Sequence, residues 1–132
     1  TEYALYHELC HLAETVVLTK SVAYDRWSNL NPSDFRYDGD YTHNKSRDGS
    51  PWLKEGKAYF IDTYAMSFPK EDRARLFANA LMDDNAEMFE ASPIQKKLRS
   101  ICIAIREAYD YQKDTQIFTW EQYLKKPIAP SK

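Results

Sequence analysis

Glycine, cysteine and long apolar runs are all scarce in this chain of 132 residues. With only three glycines and ten tyrosines, the composition favours a helical, tyrosine-rich body over a sandwich of many short strands, which needs frequent tight turns. No stretch approaches the roughly 18 consecutive apolar residues of a membrane-spanning helix. No signal peptide is recognisable either. The sequence therefore predicts no membrane span.

A strong excess of charge of either sign is also missing. The formal net charge is -2, so no long-range field attracts nucleic acid or anionic lipid, and nucleic-acid binding is not expected. The two cysteines, Cys10 and Cys102, form neither a disulfide framework nor a C-x-x-C pair. Both lie in apolar helical patterns, and we expect them to be small buried hydrophobic residues.

The composition is that of a folded protein, with 43% apolar and 29% charged residues. The length suits one domain, which we assign to residues 1–132. Because the helical pattern has already begun by about residue 3, we expect this domain to be a fragment of a longer chain.

Three helices are predicted. The first covers about residues 2–27 and must end before Asn31-Pro32, since the residue before a proline disfavours the helical region. Ser67 and Pro69 mark the start of the second, which we extend to about residue 90, and Ser92-Pro93 starts the third. Their apolar stripes follow three-and-four spacing: Leu5, Leu9, Leu12, Val16 and Val17; then Leu76, Phe77, Ala80 and Leu81; then Ile94, Leu98, Ile101, Cys102, Ile105 and Tyr109.

Between the first two helices lies a polar segment at about residues 28–56, rich in Asn, Asp, Ser, Gly and Pro. A loop of this length in a small domain is typical of a binding or lid segment. Its aromatic residues should attach parts of it to the body: Phe35, Tyr37, Tyr41 and Trp52. Residues 57–65 are predicted either as a short strand or as a helix, and residues 119–126 as one short segment.

The first helix carries the sequence HELCH, with His7 and His11 four residues apart and Glu8 beside the first histidine. Residues four apart share one face of a helix, so both imidazoles can bind one zinc ion. Glu8 faces a different direction, from which it can act as general base toward a zinc-bound water. The alternative interpretation is that the two histidines are ordinary hydrogen-bonded residues of a helical bundle without metal.

A catalytic zinc site needs a third protein ligand. The candidates are Glu71 and Asp72, in the first turn of the second helix, and His43 in the polar loop. Acidic residues are also favoured at helix starts by the macrodipole, which leaves a purely structural explanation open for both carboxylates.

HELCH followed by TYAMSFPKEDRARLFANAL resembles the gluzincin metallopeptidases, in particular the catalytic domain of the anthrax lethal factor group and related bacterial zinc peptidases. In that pattern a tyrosine stands seven residues before a ligand glutamate, and a small residue and a phenylalanine follow at three and six. Tyr64, Glu71, Ala74 and Phe77 match these positions. The resemblance covers about residues 5–15 and 59–80.

The resemblance implies a hydrolase: a zinc metallopeptidase domain with one Zn²⁺ per chain, held by His7, His11 and Glu71, and with a peptide or protein as substrate. It implies Glu8 as general base and Tyr64 as hydrogen-bond donor to the oxyanion. The fold class is then mainly α, the helical C-terminal part of a zincin-like α+β domain whose upstream sheet is missing. By analogy with exported bacterial peptidases, a secreted or cell-surface location is expected.

The chain departs from the pattern at Arg75, where thermolysin-type peptidases have an aspartate that supports the zinc histidines. A supporting carboxylate must come from elsewhere, and Asp72, Glu14 and Asp62 are open candidates. The alternative function is a zinc-binding, non-catalytic interaction domain derived from a metallopeptidase.

Overall fold

The structure, a computed structural model, describes residues 1–39, 53 and 57–128. Within them the protein is mainly helical, and no strand is assigned. The three long helices are α1 (Glu2–Lys20), α2 (Pro69–Leu81) and α3 (Ser92–Ala108). Four single turns of 3-10 helix connect and extend them, at Trp27–Leu30, Tyr64–Met66, Ala86–Phe89 and Thr119–Glu121.

Prolines start two of the helices where the sequence predicts. Pro69 and Pro93 occupy the first turns of α2 and α3, where a proline costs no hydrogen bond because the first amides of a helix have no intrahelical partner. The predicted helix ends were wrong. α2 ends at Leu81, not near residue 90, because Met82 has an extended backbone.

The first helix is also shorter than the predicted 2–27. It ends at Lys20 because Ser21 is extended. The Ser21 hydroxyl accepts the Ala23 amide and donates to Glu107, and such local side-chain hydrogen bonds compete with helix continuation. Residues 57–65 form neither of the predicted elements. They are irregular up to the 3-10 turn at Tyr64–Met66.

The main core lies where α2 and α3 meet, and it buries the apolar stripe predicted for α3. Of the residues predicted for that stripe, Tyr109 was assigned wrongly, because it lies after the end of α3 and is partly exposed. Trp27 and Phe89 from the 3-10 turns complete this core, and Cys10 and Cys102 are buried in it as free thiols, as predicted. No described helix has the length and apolar character needed to cross a bilayer.

The stripe predicted for α1 was largely wrong. Leu5 and Leu12 are 66% and 68% exposed, and Leu9 is also exposed; of the predicted set, Val17 alone is fully buried. The opposite face of α1 packs inward, with His7, Cys10 and Glu14 buried beside Val17. Ionisable side chains of α2 explain this orientation, because they supply partners for the polar residues of α1 that no apolar face could supply.

The start of the polar segment is attached to the body as predicted. Phe35 is buried in a second, smaller cluster with Phe60, Ala65 and Met66. Two backbone hydrogen bonds, from the amides of Asp38 and Gly39 to the carbonyls of Met66 and Ser67, hold it beside the start of α2. Tyr41, His43 and Trp52 lie outside the described residues, and so does most of the predicted binding loop.

Candidate metal centre

The side chains of His7, His11 and Glu71 converge between α1 and α2. The Nε2 atoms of His7 and His11 lie 2.8 and 3.0 Å from one oxygen, Glu71 Oε1. One helical turn separates the two histidines, so α1 presents them together, with ring centroids 4.9 Å apart. Glu71 reaches them from the first turn of α2, which starts at Pro69.

These three side chains could hold a metal ion. Their potential ligand atoms all lie within 4.8 Å of one another. In a tetrahedral site with ligand distances near 2.0–2.1 Å, neighbouring ligand atoms are about 3.4 Å apart. The two contacts to Glu71 are a few tenths of an ångström shorter than that, so a small outward movement of the carboxylate would admit an ion. The donor set and these two distances are therefore compatible with a metal ion.

The centre is partly shielded from solvent but not closed. The side chains of His7, His11 and Glu71 are 11%, 24% and 6% exposed. An open cleft of about 470 Å³ runs over them and is also lined by Glu8, Glu14, Tyr64 and Lys70. A buried ligand set with one open side is typical of a catalytic rather than a structural metal site.

The two other residues predicted for catalysis lie at this cleft. Glu8 is exposed on α1 and does not join the ligand set, as a general base requires. Tyr64, in the 3-10 turn before α2, is half-buried, and its ring centroid lies 6.2 Å from that of His7. A second, smaller cleft of about 220 Å³ is lined by the same two residues together with Tyr3, Ala4, His7 and Arg75.

Asp72, the other acidic candidate in this turn, points away from the histidines. It is fully buried, and its Oδ2 accepts hydrogen bonds from Lys97 Nζ and Tyr37 Oη, both at 2.8 Å. Burial raises the pKa of the Asp72 carboxyl, against the opposing effect of the Lys97 ammonium. The same burial lowers the pKa of Lys97. Asp72 thus joins α2 to α3, while Glu71 faces α1.

The carboxylates considered as supports for the zinc histidines have other partners. Glu14 forms a buried ion pair with Arg73, and Asp62 accepts the Ala65 amide and lies 3.4 Å from Arg75. Within the described part of the chain, the buried Nδ1 of His7 has no hydrogen-bond partner. These three acids therefore fix the surrounding elements rather than the histidine rings.

Sequence reasoning missed the basic residues around the centre. The side chain of Arg73 extends from α2 to α1 and to the turn that follows α1, where its guanidinium lies 4.3 Å from the ring centroid of Tyr24. Arg75 lies 4.4 Å from that of Tyr64. The spacing could have indicated Arg75, because Arg75 follows Glu71 by one helical turn on α2 and Tyr3 precedes His7 by one turn on α1. Each pair shares one face of its own helix, and the two faces meet where Arg75 donates to the Tyr3 hydroxyl.

Comparison with known proteins adds no family: no protein-family model, no curated protein and no solved structure matches the chain.

Proposed function

We propose that the chain is a zinc-dependent metallopeptidase domain that hydrolyses peptide bonds, with His7, His11 and Glu71 as ligands of one Zn²⁺. The observation that carries this proposal is the convergence of three ligand atoms from positions 7, 11 and 71. Two imidazoles and one carboxylate suit zinc better than calcium or magnesium, which prefer oxygen ligands throughout. The same set serves as the ligands of several catalytic zinc sites.

The places of Glu8 and Tyr64 at the cleft support the roles that we propose for them. Bound zinc would lower the pKa of a coordinated water to about 7 and polarise the scissile carbonyl. Glu8, exposed beside His7, takes the proton of the attacking water and passes it to the leaving amine. Tyr64 donates its hydroxyl proton in a hydrogen bond to the oxygen that becomes negative in the tetrahedral intermediate. An open cleft gives an extended peptide access to both residues.

Two measurements test the proposal. Elemental analysis and titration calorimetry should find one zinc per chain, lost in His7→Ala. A mixed peptide library, analysed by mass spectrometry, should be cleaved by the wild type and cleaved about 10²–10⁴ times more slowly by Glu8→Gln. Glu8 is exposed, so its substitution should leave folding and zinc binding intact. Glu2→Gln, at an exposed glutamate of the same helix, is the matched control and should change neither zinc binding nor the rate of peptide cleavage.

The outcomes separate the candidate functions. A wild type with no stoichiometric zinc contradicts the metal centre. The protein is then a helical bundle in which Glu71 serves only as a hydrogen-bond partner of the two histidines. Zinc binding with no cleavage, or with equal cleavage by wild type and Glu8→Gln, contradicts the peptidase and favours the non-catalytic, zinc-binding interaction domain.

A further inference from the structure

Arg75 lies against Tyr64, the residue that the proposed function places at the oxyanion. Its guanidinium carbon is 4.4 Å from the centroid of the Tyr64 ring. Both residues line the smaller cleft with His7 and Glu8. A planar guanidinium over the face of an aromatic ring is an attractive contact that also fixes the plane of the ring.

The guanidinium is itself held from the side of α1. Nη1 of Arg75 donates to the Tyr3 hydroxyl at 3.1 Å, and Asn79 Nδ2 donates to the same hydroxyl at 3.2 Å. The Arg75 guanidinium also lies 5.6 Å from the Tyr3 ring centroid. Tyr3 and His7 are one turn apart on α1, as are Glu71 and Arg75 on α2, so Arg75 extends the contact that brings Glu71 to the histidines.

A second link runs from Arg75 to the backbone that carries Tyr64. Arg75 Nε lies 3.4 Å from Asp62 Oδ2, an ion-pair contact without a hydrogen bond, and Asp62 Oδ1 accepts the Ala65 amide at 2.9 Å. Asp62 thereby links the 3-10 turn at Tyr64–Met66 to α2 through an electrostatic contact. Arg75 thus contacts both the ring of Tyr64 and the acid that shapes its turn, with the side chain only 24% exposed.

We propose that Arg75 is a positioning residue that holds the Tyr64 ring beside His7 at the edge of the metal centre, from the same face of α2 that carries Glu71. This inference rests on the proposed function for the role of Tyr64, while the contact itself rests on the geometry alone. A donor to a transition-state oxygen is effective when its position is fixed before the reaction, and neighbouring side chains fix it. Lysine could supply the positive charge at this position but not the planar guanidinium that lies over the Tyr64 ring.

The test uses Arg75→Met, Arg75→Lys and Tyr64→Phe, with Arg99→Met as the matched control at a partly exposed arginine of α3. Zinc affinity and the far-ultraviolet circular dichroism of each variant confirm that the metal centre and the helices persist. We expect Arg75→Met to lower kcat about 10-fold or more with KM nearly unchanged, because the loss falls on the transition state. Arg75→Lys should recover less than half of the lost rate, and Arg99→Met should match the wild type.

A double-mutant cycle then asks whether Arg75 acts through Tyr64. In the Tyr64→Phe background, Arg75→Met should reduce kcat by less than twofold, because no hydroxyl is left to position. Equal losses in both backgrounds would overturn the proposal, since they would show that Arg75 acts independently of Tyr64.

A spectroscopic reading does not depend on activity. In protein with ¹³C-labelled tyrosine rings, the Tyr64 signal is identified as the one lost in Tyr64→Phe. It should shift or broaden in Arg75→Met and stay in place in Arg99→Met. An unchanged Tyr64 signal in Arg75→Met would overturn the proposal. If the wild type binds zinc but cleaves no peptide, the peptidase function fails, and this reading still decides whether Arg75 positions Tyr64.

Discussion

The seam between α1 and α2 and the core beside α3 differ in how they bury ionisable side chains. The seam buries one group of three ionisable side chains, His7 and His11 with Glu71, and one pair, Glu14 with Arg73. The core is mainly apolar, with Leu76, Ile94 and Leu98 fully buried. The ion pairs of α3, Lys97 with Asp72 and Arg106 with Glu121, are fully enclosed. Burying charge is costly unless every charged group has a partner, whereas burying leucine is favourable by itself. Enclosed ion pairs can serve folding alone, whereas the ionisable side chains of the seam line an open cleft that a ligand can enter, and this is why we place the proposed function at the seam.

The largest effect is expected at the seam, from removing one member of a buried ion pair. Arg73→Met leaves the Glu14 carboxylate buried without its partner and removes the guanidinium beside Tyr24. The free energy of unfolding should fall by about 3–5 kcal/mol, measured by urea denaturation.

The double variant Glu14→Leu/Arg73→Met is the control for that prediction. It should be more stable than Arg73→Met, because no unpaired charge stays buried. A cost below about 1 kcal/mol for Arg73→Met alone would place the pair among ordinary surface ion pairs and would weaken the contrast between seam and core.

The core should respond by destabilisation without loss of the metal centre. Leu98→Ala leaves a cavity at a fully buried site and should lower the free energy of unfolding by about 3 kcal/mol. The zinc affinity of the folded fraction should stay within about twofold of the wild type. The matched control is Leu12→Ala on the outer face of α1, 68% exposed, which should cost less than about 0.5 kcal/mol. Equal costs for both leucines would contradict the observed orientation of α1.

The smallest expected effect is on local opening of the folded protein. The alkylation rate of each cysteine measures opening at its own site. Both cysteines are buried in the main core, but Cys10 lies on α1, one helical turn from the seam residue Glu14, whereas Cys102 lies on α3. Burial raises the pKa of both thiols well above their usual range. At pH 8 both therefore stay protonated in the folded protein, and alkylation, which needs the thiolate, requires opening.

Zinc should protect the two thiols unequally. At ten times its Kd, zinc stabilises the closed seam by about 1.4 kcal/mol, so alkylation of Cys10 should slow about tenfold while Cys102 is unaffected. Peptide mass spectrometry gives both rates in one experiment. Zinc should have no effect in His7→Ala, which also controls for direct binding of zinc to the thiols. Equal slowing at both cysteines would show that seam and core open as one unit.

The core was largely predictable from local patterns, whereas the seam was predicted only in part. The stripe from Ile94 to Ile105 and the proline starts of α2 and α3 were confirmed because both depend on residues within a few positions of one another. The face of α1 was predicted wrongly. Its leucines satisfy the same spacing rule, but α2 offers partners to His7 and Glu14 instead. HELCH and the family resemblance indicated the contact of the histidines with Glu71, whereas no local pattern indicated the pair of Glu14 with Arg73. The predicted ends of α1 and α2 failed at Ser21 and Met82, where a single extended residue stops the helix.

By itself, the sequence determined that His7 and His11 share one face of a helix, that Glu8 faces elsewhere, and that a carboxylate pair opens α2. The helical period and the rigid ring of proline fix these features locally. The tertiary structure alone decided that Glu71 turns toward the histidines while Asp72 turns toward Lys97, and that Arg75 reaches Tyr64. Those contacts depend on how α2 is rotated against α1 and α3, which is set by the packing of side chains far apart in the chain.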